Sequence, residues 1–266
     1  MSVPVFEVCD VSFSYREVTA LDGLNLAIEP GQRIVLLGAN GSGKSTLLSL
    51  LDGLCFPGKG SVKFRGEPLT EDRLTGETEF DFRRRVGLVF QNPEVQLFNP
   101  TVLDEVAFGP LQLRWPQEQI RLRVDEALEQ MRITHLKHRS PHQLSTGEKK
   151  RVALASVLIL DPEVLLLDEP TAALDPKSES EMIDFLVSCS GGRKTVVTAT
   201  HDLDLLDDIA DLCHVFLQGR IVASGTPAEI LRDHELLRRT GLVHAHRHAH
   251  ATGEIHSHPH RHGHGH

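Results

Sequence analysis

Apolar positions in this chain fall into two kinds of run, and the difference predicts the architecture. RIVLLGANGSGKSTLLSLLDGL (33–54) opens with a short unbroken apolar stretch at 34–37, then passes through glycines into a leucine-rich helical pattern. A run of that length suits a parallel strand covered on both faces. EVLLLDEP (163–170), introduced by the helix-ending pair Asp161 and Pro162, is a second such strand, and the β-branched TVVTATHD (195–202) a third. Strands separated by helices imply an α/β core with a mostly parallel sheet.

Between 91 and 160 the texture changes. PQEQIRLRVDEALEQM (116–131) places Ile120, Val124, Ala127, Leu128 and Met131 at helical spacing with charges between them. That predicts a helical subdomain inserted at about 92–160. Residues 221–243 read as a turn and a closing amphipathic helix. HAHRHAHATGEIHSHPHRHGHGH (244–266) has no apolar period and is expected to be a disordered tail beyond a folded domain at 1–243.

Charge narrows the function. The net charge is −9, and Arg247 and Arg261 against Glu254 give the tail +1, so the body alone carries −10. A general nucleic-acid binder would show a basic footprint instead, so any pull on anions must be local. Cysteines at 9, 55, 189 and 213 form no CxxC pair and are expected as reduced thiols. The start, MSVPVFEVCD, has neither a basic n-region nor a long apolar h-region, so no secretory leader is expected. The longest apolar stretches, such as VALASVLIL (152–160), fall short of the roughly 18–20 residues that span a bilayer.

The candidate chemistry begins at GANGSGKST (38–46), which fits G-x-x-x-x-G-K-[ST]. Gly38, Ala39, Asn40, Gly41, Ser42, Gly43 and Thr46 would turn backbone N–H groups around phosphate oxygens at a helix N-terminus. Lys44 would neutralise the β and γ phosphates and Ser45 supply a hydroxyl to Mg²⁺. A chance glycine-rich turn is the bland alternative, but the loop lies between an apolar strand and a helix, as the mechanism requires. Asp168, ending VLLLDEP, can hold Mg²⁺ through water. Glu169, one step further, is suited to accept a proton from an attacking water. In HQLSTGEKKRVALASVLIL (142–160), Ser145 and Glu148 fit the capping box S-x-x-E, and Val152, Ala155, Ser156 and Ile159 would bury the opposite face.

Taken in order, GANGSGKST, FQNPE, LSTGE, LLLDEP, AALD and ATHD cover nearly all of residues 3–220, and the series resembles the nucleotide-binding subunit of an ATP-binding cassette (ABC) transporter. The resemblance implies an ABC-type ATPase core with a small antiparallel β part beside the parallel sheet. It implies that Tyr15 stacks on adenine and that Gln91 senses Mg²⁺ and the γ-phosphate side while touching a membrane partner. Ser145 and Gly147 match the signature motif that meets ATP on the opposite subunit, Asp175 the loop communicating across the dimer, and His201 the switch histidine. Two positions depart from the commonest LSGGQ pattern: Thr146 replaces a glycine and Glu148 the glutamine. The first adds β-branched bulk, and the second brings negative charge toward a phosphate unless it folds back into the capping box.

A single cassette without a membrane span implies a homodimer, or a paired ATPase, closing over two ATP molecules and docked on transmembrane subunits at the cytoplasmic face. VFQNPEVQLFNPTVLDEVAFGP (89–110) and LSTGEKKRVALA are similar to energy-coupling-factor ATPases, which drive uptake of vitamins and of nickel or cobalt. Val95, Leu97, Phe98 and Val102 are candidates for a groove receiving a partner's helix, with the core of the helical subdomain as the alternative.

Ten of the sixteen histidines occupy the tail: His244, His246, His248, His250, His256, His258, His260, His262, His264 and His266. Imidazole is a favoured ligand for Ni²⁺ and Co²⁺, and at three or four per ion ten rings could hold roughly two or three ions. The interruptions at Arg247, Pro259 and Arg261 argue against an engineered purification run. The expected function is therefore ATP-driven import of nickel, then cobalt. A vitamin importer with an incidental tail, a metal store with residual ATPase and a soluble cassette acting on DNA or ribosomes are the alternatives. No nucleic acid is expected as partner, and membrane contact is expected only through partners.

Overall fold

A computed structural model describes residues 3–189, 194–249 and 255–260, with backbone alone from 244 onward. Two strands, Phe6–Tyr15 (β1) and Val18–Ile28 (β2), form a hairpin that leads into Arg33–Leu37 (β3) and helix Lys44–Leu51 (α1). Lys59–Phe64 (β4) and Glu67–Pro68 (β5) complete a four-stranded antiparallel sheet in the order β2-β1-β4-β5. Helix Gly76–Arg85 (α2) then runs directly into Val86–Val89 (β6).

Three helices follow: Val102–Gln112 (α3), Gln117–Gln130 (α4) and Thr146–Leu158 (α5). Buried residues of all three, among them Val106, Ile120, Val124, Leu128, Val152 and Leu154, share one apolar cluster. The chain re-enters the sheet at Val164–Asp168 (β7), crosses through Pro176–Ser188 (α6) to Thr195–Thr200 (β8), and passes Leu206–Ile209 (α7) to Leu212–Leu217 (β9) and Arg220–Gly225 (β10). The resulting six-stranded sheet has the order β10-β9-β3-β8-β7-β6, parallel except at β10.

This sheet is buried on both faces, and its strands show why their runs are continuously apolar. On β3, Ile34 and Leu36 face the cluster containing α1 and β1, whereas Val35 and Leu37 face the cluster containing α3–α6. On β7, Val164 and Leu166 take the first side, Leu165 and Leu167 the second. The period is two, but both faces are apolar, so the sequence shows no alternation. Helix α1 is held between the two sheets by Leu47, Leu48, Leu50 and Leu51.

The C-terminal part differs from the expected turn and single helix. Residues 220–225 form β10, and the helix is broken into Pro227–Arg232 (α8) and His234–Arg239 (α9). The break has a local cause: Asp233 accepts a hydrogen bond from Leu236 N at 2.9 Å and so caps a new helix. Beyond it, His244–Ala249 (β11) pairs antiparallel with Ile255–His260 (β12). Residues 250–254 and 261–266 lie outside the described residues.

Candidate functional site

Four of the chemically loaded segments leave the carboxyl ends of parallel strands. The phosphate loop follows β3, Gln91 follows β6, Asp168 ends β7, and Thr200 and His201 end β8. Because β3, β8, β7 and β6 are neighbours in that order, these ends form one crevice, the usual ligand position of an open α/β sheet.

The loop itself is shaped by close approach. A Cβ on Gly38 would stand 2.7 Å from Ser42 Oγ and 2.8 Å from Phe216 O. Gly43 has φ 109 and would bring a Cβ within 2.7 Å of Ala20 O, so a side chain is excluded by conformation and by space. Asn40, Gly41 and Ser45 are exposed, Ala39 is half-buried, and Ser42, Lys44 and Thr46 are buried. Lys44 Nζ donates to Gly38 O at 2.6 Å and Ala39 O at 3.2 Å, and lies 3.7 Å from Glu169 Oε1. Burial pulls its pKa down, against the pull of Glu169 and Asp168.

Glu169 is 3% exposed and has φ 45, an uncommon conformation for a residue with a side chain. His201 Nδ1 lies 2.9 Å from Oε1, and Thr200 Oγ1 donates to Oε2 at 3.2 Å. Asp168 beside it is pushed up by burial, with the Glu169 charge adding to the effect and Ser45 and Lys44 opposing it. Ser42 Oγ and Asp168 Oδ1 are buried without a hydrogen-bond partner. Orphaned polar atoms beside a buried lysine and a carboxylate are what a Mg²⁺–nucleotide would satisfy, so the residues present fit that group.

The signature stretch sits apart from the phosphate loop of its own chain. Among the hydrogen bonds and ion pairs of the described residues, none joins Ser145, Thr146 or Gly147 to 38–46. Ser145 N donates to Glu148 Oε2 at 2.8 Å, while Glu148 N donates to Ser145 Oγ at 3.3 Å. Glu148 is thus turned back into the capping box, and that bond holds its carboxyl below the usual carboxylate range. Thr146 is exposed, and Gly147 is buried against α6, where a Cβ would meet Ser178 Oγ at 2.5 Å. Asp175 caps α6 by accepting from Lys177 N at 3.1 Å and Ser178 N at 3.2 Å.

Tyr15 is 53% exposed and packs edge-on against Phe13, with ring centroids 4.9 Å apart. Gln91 is exposed at its strand end. Of the groove candidates, Leu97 and Val102 are core residues at 4% and 0% exposure, so they line no surface. Val95 and Phe98 are exposed, and Phe98 stacks edge-on with half-exposed Phe108. Buried Glu105 accepts from Phe98 N at 2.8 Å and Asn99 N at 2.7 Å, which fixes the loop that presents Phe98.

Three contributors escape the motif reading. Thr200 orients Glu169. Gln96 links Phe90 N to Ala153 O of α5, at 3.3 Å on each side. Lys150 is buried and bonds the turn after β7, with its pKa pushed down to about 8 by burial. Gln96 and Lys150 lie inside quoted motifs, but nothing in residue type alone distinguishes them from solvated neighbours.

Among the described residues no helix is long and apolar enough to cross a membrane, and no group of three or more His, Cys, Asp and Glu could hold a metal ion. The tail histidines from His244 to His266 have no described side chains, and His250, His262, His264 and His266 lie outside the described residues altogether. Their point of departure is described: Leu242 lines a cleft of about 750 Å³ together with Glu169, Asp175 and His201.

A strand-loop-helix phosphate cradle, a buried carboxylate beside it and a capped signature helix packed against the next turn define an ATP-binding cassette. The ABC transporter family profile matches residues 21–172. The nickel import ATP-binding protein NikO of Rhodobacter capsulatus is 57% identical over 244 residues, covering 90% of this chain and 96% of the relative. An energy-coupling factor transporter ATP-binding protein of Methanothermobacter thermautotrophicus is 43% identical over 241 residues, covering 90% and 76%. The structure of cbiO1 from Clostridium perfringens, part of the ABC transporter complex cbiONQ, superposes with a TM-score of 0.76 at 37% identity, covering 91% of this chain and 96% of that one. A dimeric cassette in a post-hydrolysis state with ADP and Pi gives 0.73 at 28% identity, covering 84% and 98%. The chain belongs to the ABC transporter ATP-binding family and is an ATPase subunit.

Proposed function

We propose that this protein energises import of a transition-metal ion, nickel first and cobalt second, by hydrolysing ATP for separate transmembrane subunits. The observation that carries the reading is the 57% identity to a nickel import ATP-binding protein across 96% of that relative's length. The histidine-rich tail agrees with it, since imidazole suits both metals and favours nickel by affinity.

In this reading two copies, or this chain and a paired ATPase, close over two ATP molecules. Lys44 neutralises the β and γ phosphates, Tyr15 stacks on adenine, and Ser45, Gln91 and Asp168 serve Mg²⁺. Bound Mg²⁺ offsets charge on the phosphates and orients them. Glu169 takes the proton of the attacking water, and His201 holds the carboxylate in place. Ser145 and Gly147 face the nucleotide of the opposite subunit, and Asp175 communicates between the sites. Val95, Phe98 and Phe108 form the face that receives a transmembrane partner, which keeps the subunit peripheral at the cytoplasmic side. The tail collects arriving metal beside the hydrolytic cleft from which it departs.

The test is accumulation of radiolabelled nickel in cells carrying the native protein or Glu169→Gln, with excess cobalt as competitor. Nickel uptake that disappears in the variant supports the reading, and cobalt competition ranks the metals. Uptake unaffected by the variant overturns it. A vitamin, which the resemblance of residues 89–110 to energy-coupling-factor ATPases implies, is the alternative substrate class after the two metals.

A further inference from the structure

The turn after β7 is unusual in two ways at once. Glu169 and Ala173 both have positive φ, at 45 and 59, although neither is glycine. Between them, the carbonyls of Glu169, Pro170 and Ala172 converge on one point inside the protein. Three carbonyl dipoles aimed together repel unless a cation sits among them. Lys150 Nζ occupies that point, donating at 2.8 Å to Glu169 O, 3.1 Å to Pro170 O and 2.7 Å to Ala172 O.

An ammonium has three protons, and here each finds an acceptor in the backbone of a single turn. The residue is 3% exposed, so water does not compete for those protons. Lys149, its neighbour on α5, points elsewhere and pairs with Glu94 at 2.5 Å. The same first turns of α5 carry Ser145 and Gly147, and Gly147 is closed against Ser178 with no room for a methyl group. The start of α5 and residues 169–178 are therefore joined at two points.

We propose that Lys150 is a positioning residue for hydrolysis: by gathering three carbonyls it sets the left-handed backbone that aims Glu169, and it ties that aim to the signature end of α5. The proposal rests on the reading of Glu169 as the general base. It assigns Lys150 no contact with nucleotide. Its loss should misplace the base without disturbing the phosphate loop.

The test uses the purified full-length protein and compares Lys150→Met, Lys150→Gln, Lys150→Arg and Glu169→Gln, alone and with Lys150→Met. Turnover, KM for ATP and affinity for a fluorescent ATP analogue are measured, with single-turnover hydrolysis for the slow variants. A base displaced by about an ångström should cost kcat about 10²-fold. Lys150→Met should show that loss with KM and analogue affinity unchanged, and Lys150→Arg, which keeps a buried cationic donor, should recover most of the rate. Adding Lys150→Met to Glu169→Gln should cost little more. If Lys150→Met does not fold by thermal melting, Lys150→Gln carries the same expectation. Wild-type kcat in the Lys150 variants, or an equal further loss in the Glu169→Gln background, overturns the proposal. A wild-type rate in Glu169→Gln alone instead overturns the assignment of the base, and the proposal with it.

Discussion

His201 Nδ1 lies 2.9 Å from Glu169 Oε1, while the adjacent residue of β8, Thr200, donates to the other carboxylate oxygen. One strand end thus grips both oxygens of a residue supplied by its neighbour strand. The carboxylate direction is set by two partners before any substrate chemistry begins. Replacing Glu169 with Gln keeps the shape and removes the basic oxygen. Hydrolysis should fall by about 10²–10⁴, the usual contribution of a general base, while ATP binding survives. Steady-state turnover beside analogue binding checks both halves.

Phe98 is held out from the surface by a buried carboxylate, Glu105, that fixes its backbone N–H. Since its ring is 62% exposed, Phe98→Ser should leave the melting temperature nearly unchanged. Co-purification with the transmembrane partners should weaken. Unimpaired co-purification would move the docking face elsewhere.

His214 on β9 is 7% exposed, with Nδ1 2.7 Å from Ser224 Oγ and Nε2 without a partner. Burial pushes its pKa down to about 4. The unfolded chain binds this proton first, near pH 6.5, so the folded state keeps its full contribution above that pH. The contribution is lost as pH falls toward 4, by at most about 3 kcal/mol. His214→Gln keeps a bond to Ser224 but cannot charge. Wild type should therefore lose more stability than the variant between pH 6.5 and 4 in denaturant titrations. Taking the difference is necessary because buried Asp52, pushed up to about 7, works with the opposite sign over much of the same range.

Deleting 244–266 should alter how nickel or cobalt affects the ATPase and leave basal hydrolysis intact, because Leu242 and Val243 still close the core. Protons should compete for the tail as pH falls through about 6.5. ATPase assays with and without metal, on both forms, separate these effects. Loss of basal hydrolysis on deletion would refute a purely metal-responsive tail.

Some of this molecule was readable because its determinants are local. The phosphate loop needs glycines at close-approach positions between a strand and a helix, and all of that lies within 33–54. The capping box from Ser145 to Glu148 is four residues wide, and it forms as the spacing implies. The break between α8 and α9 is not legible in the apolar period, which continues across it, although Asp233 is a capping residue. Leu97 and Val102 were indistinguishable from Val95 and Phe98 by residue type, since only packing of α3 on α5 decides which of them water reaches.

Sequence alone determined strands β3, β7 and β8, the phosphate cradle and the acidic strand end, because backbone conformation there follows from neighbouring residues. Tertiary structure decided which of these met. Lys44, Glu169 and His201 are far apart in the chain and converge because β3, β8 and β7 lie side by side. It also decided between two identical side chains. Lys149 and Lys150 have the same chemistry, and successive helical residues diverge by about 100°, so the seating of α5 exposes one to Glu94 and buries the other among the carbonyls behind Glu169.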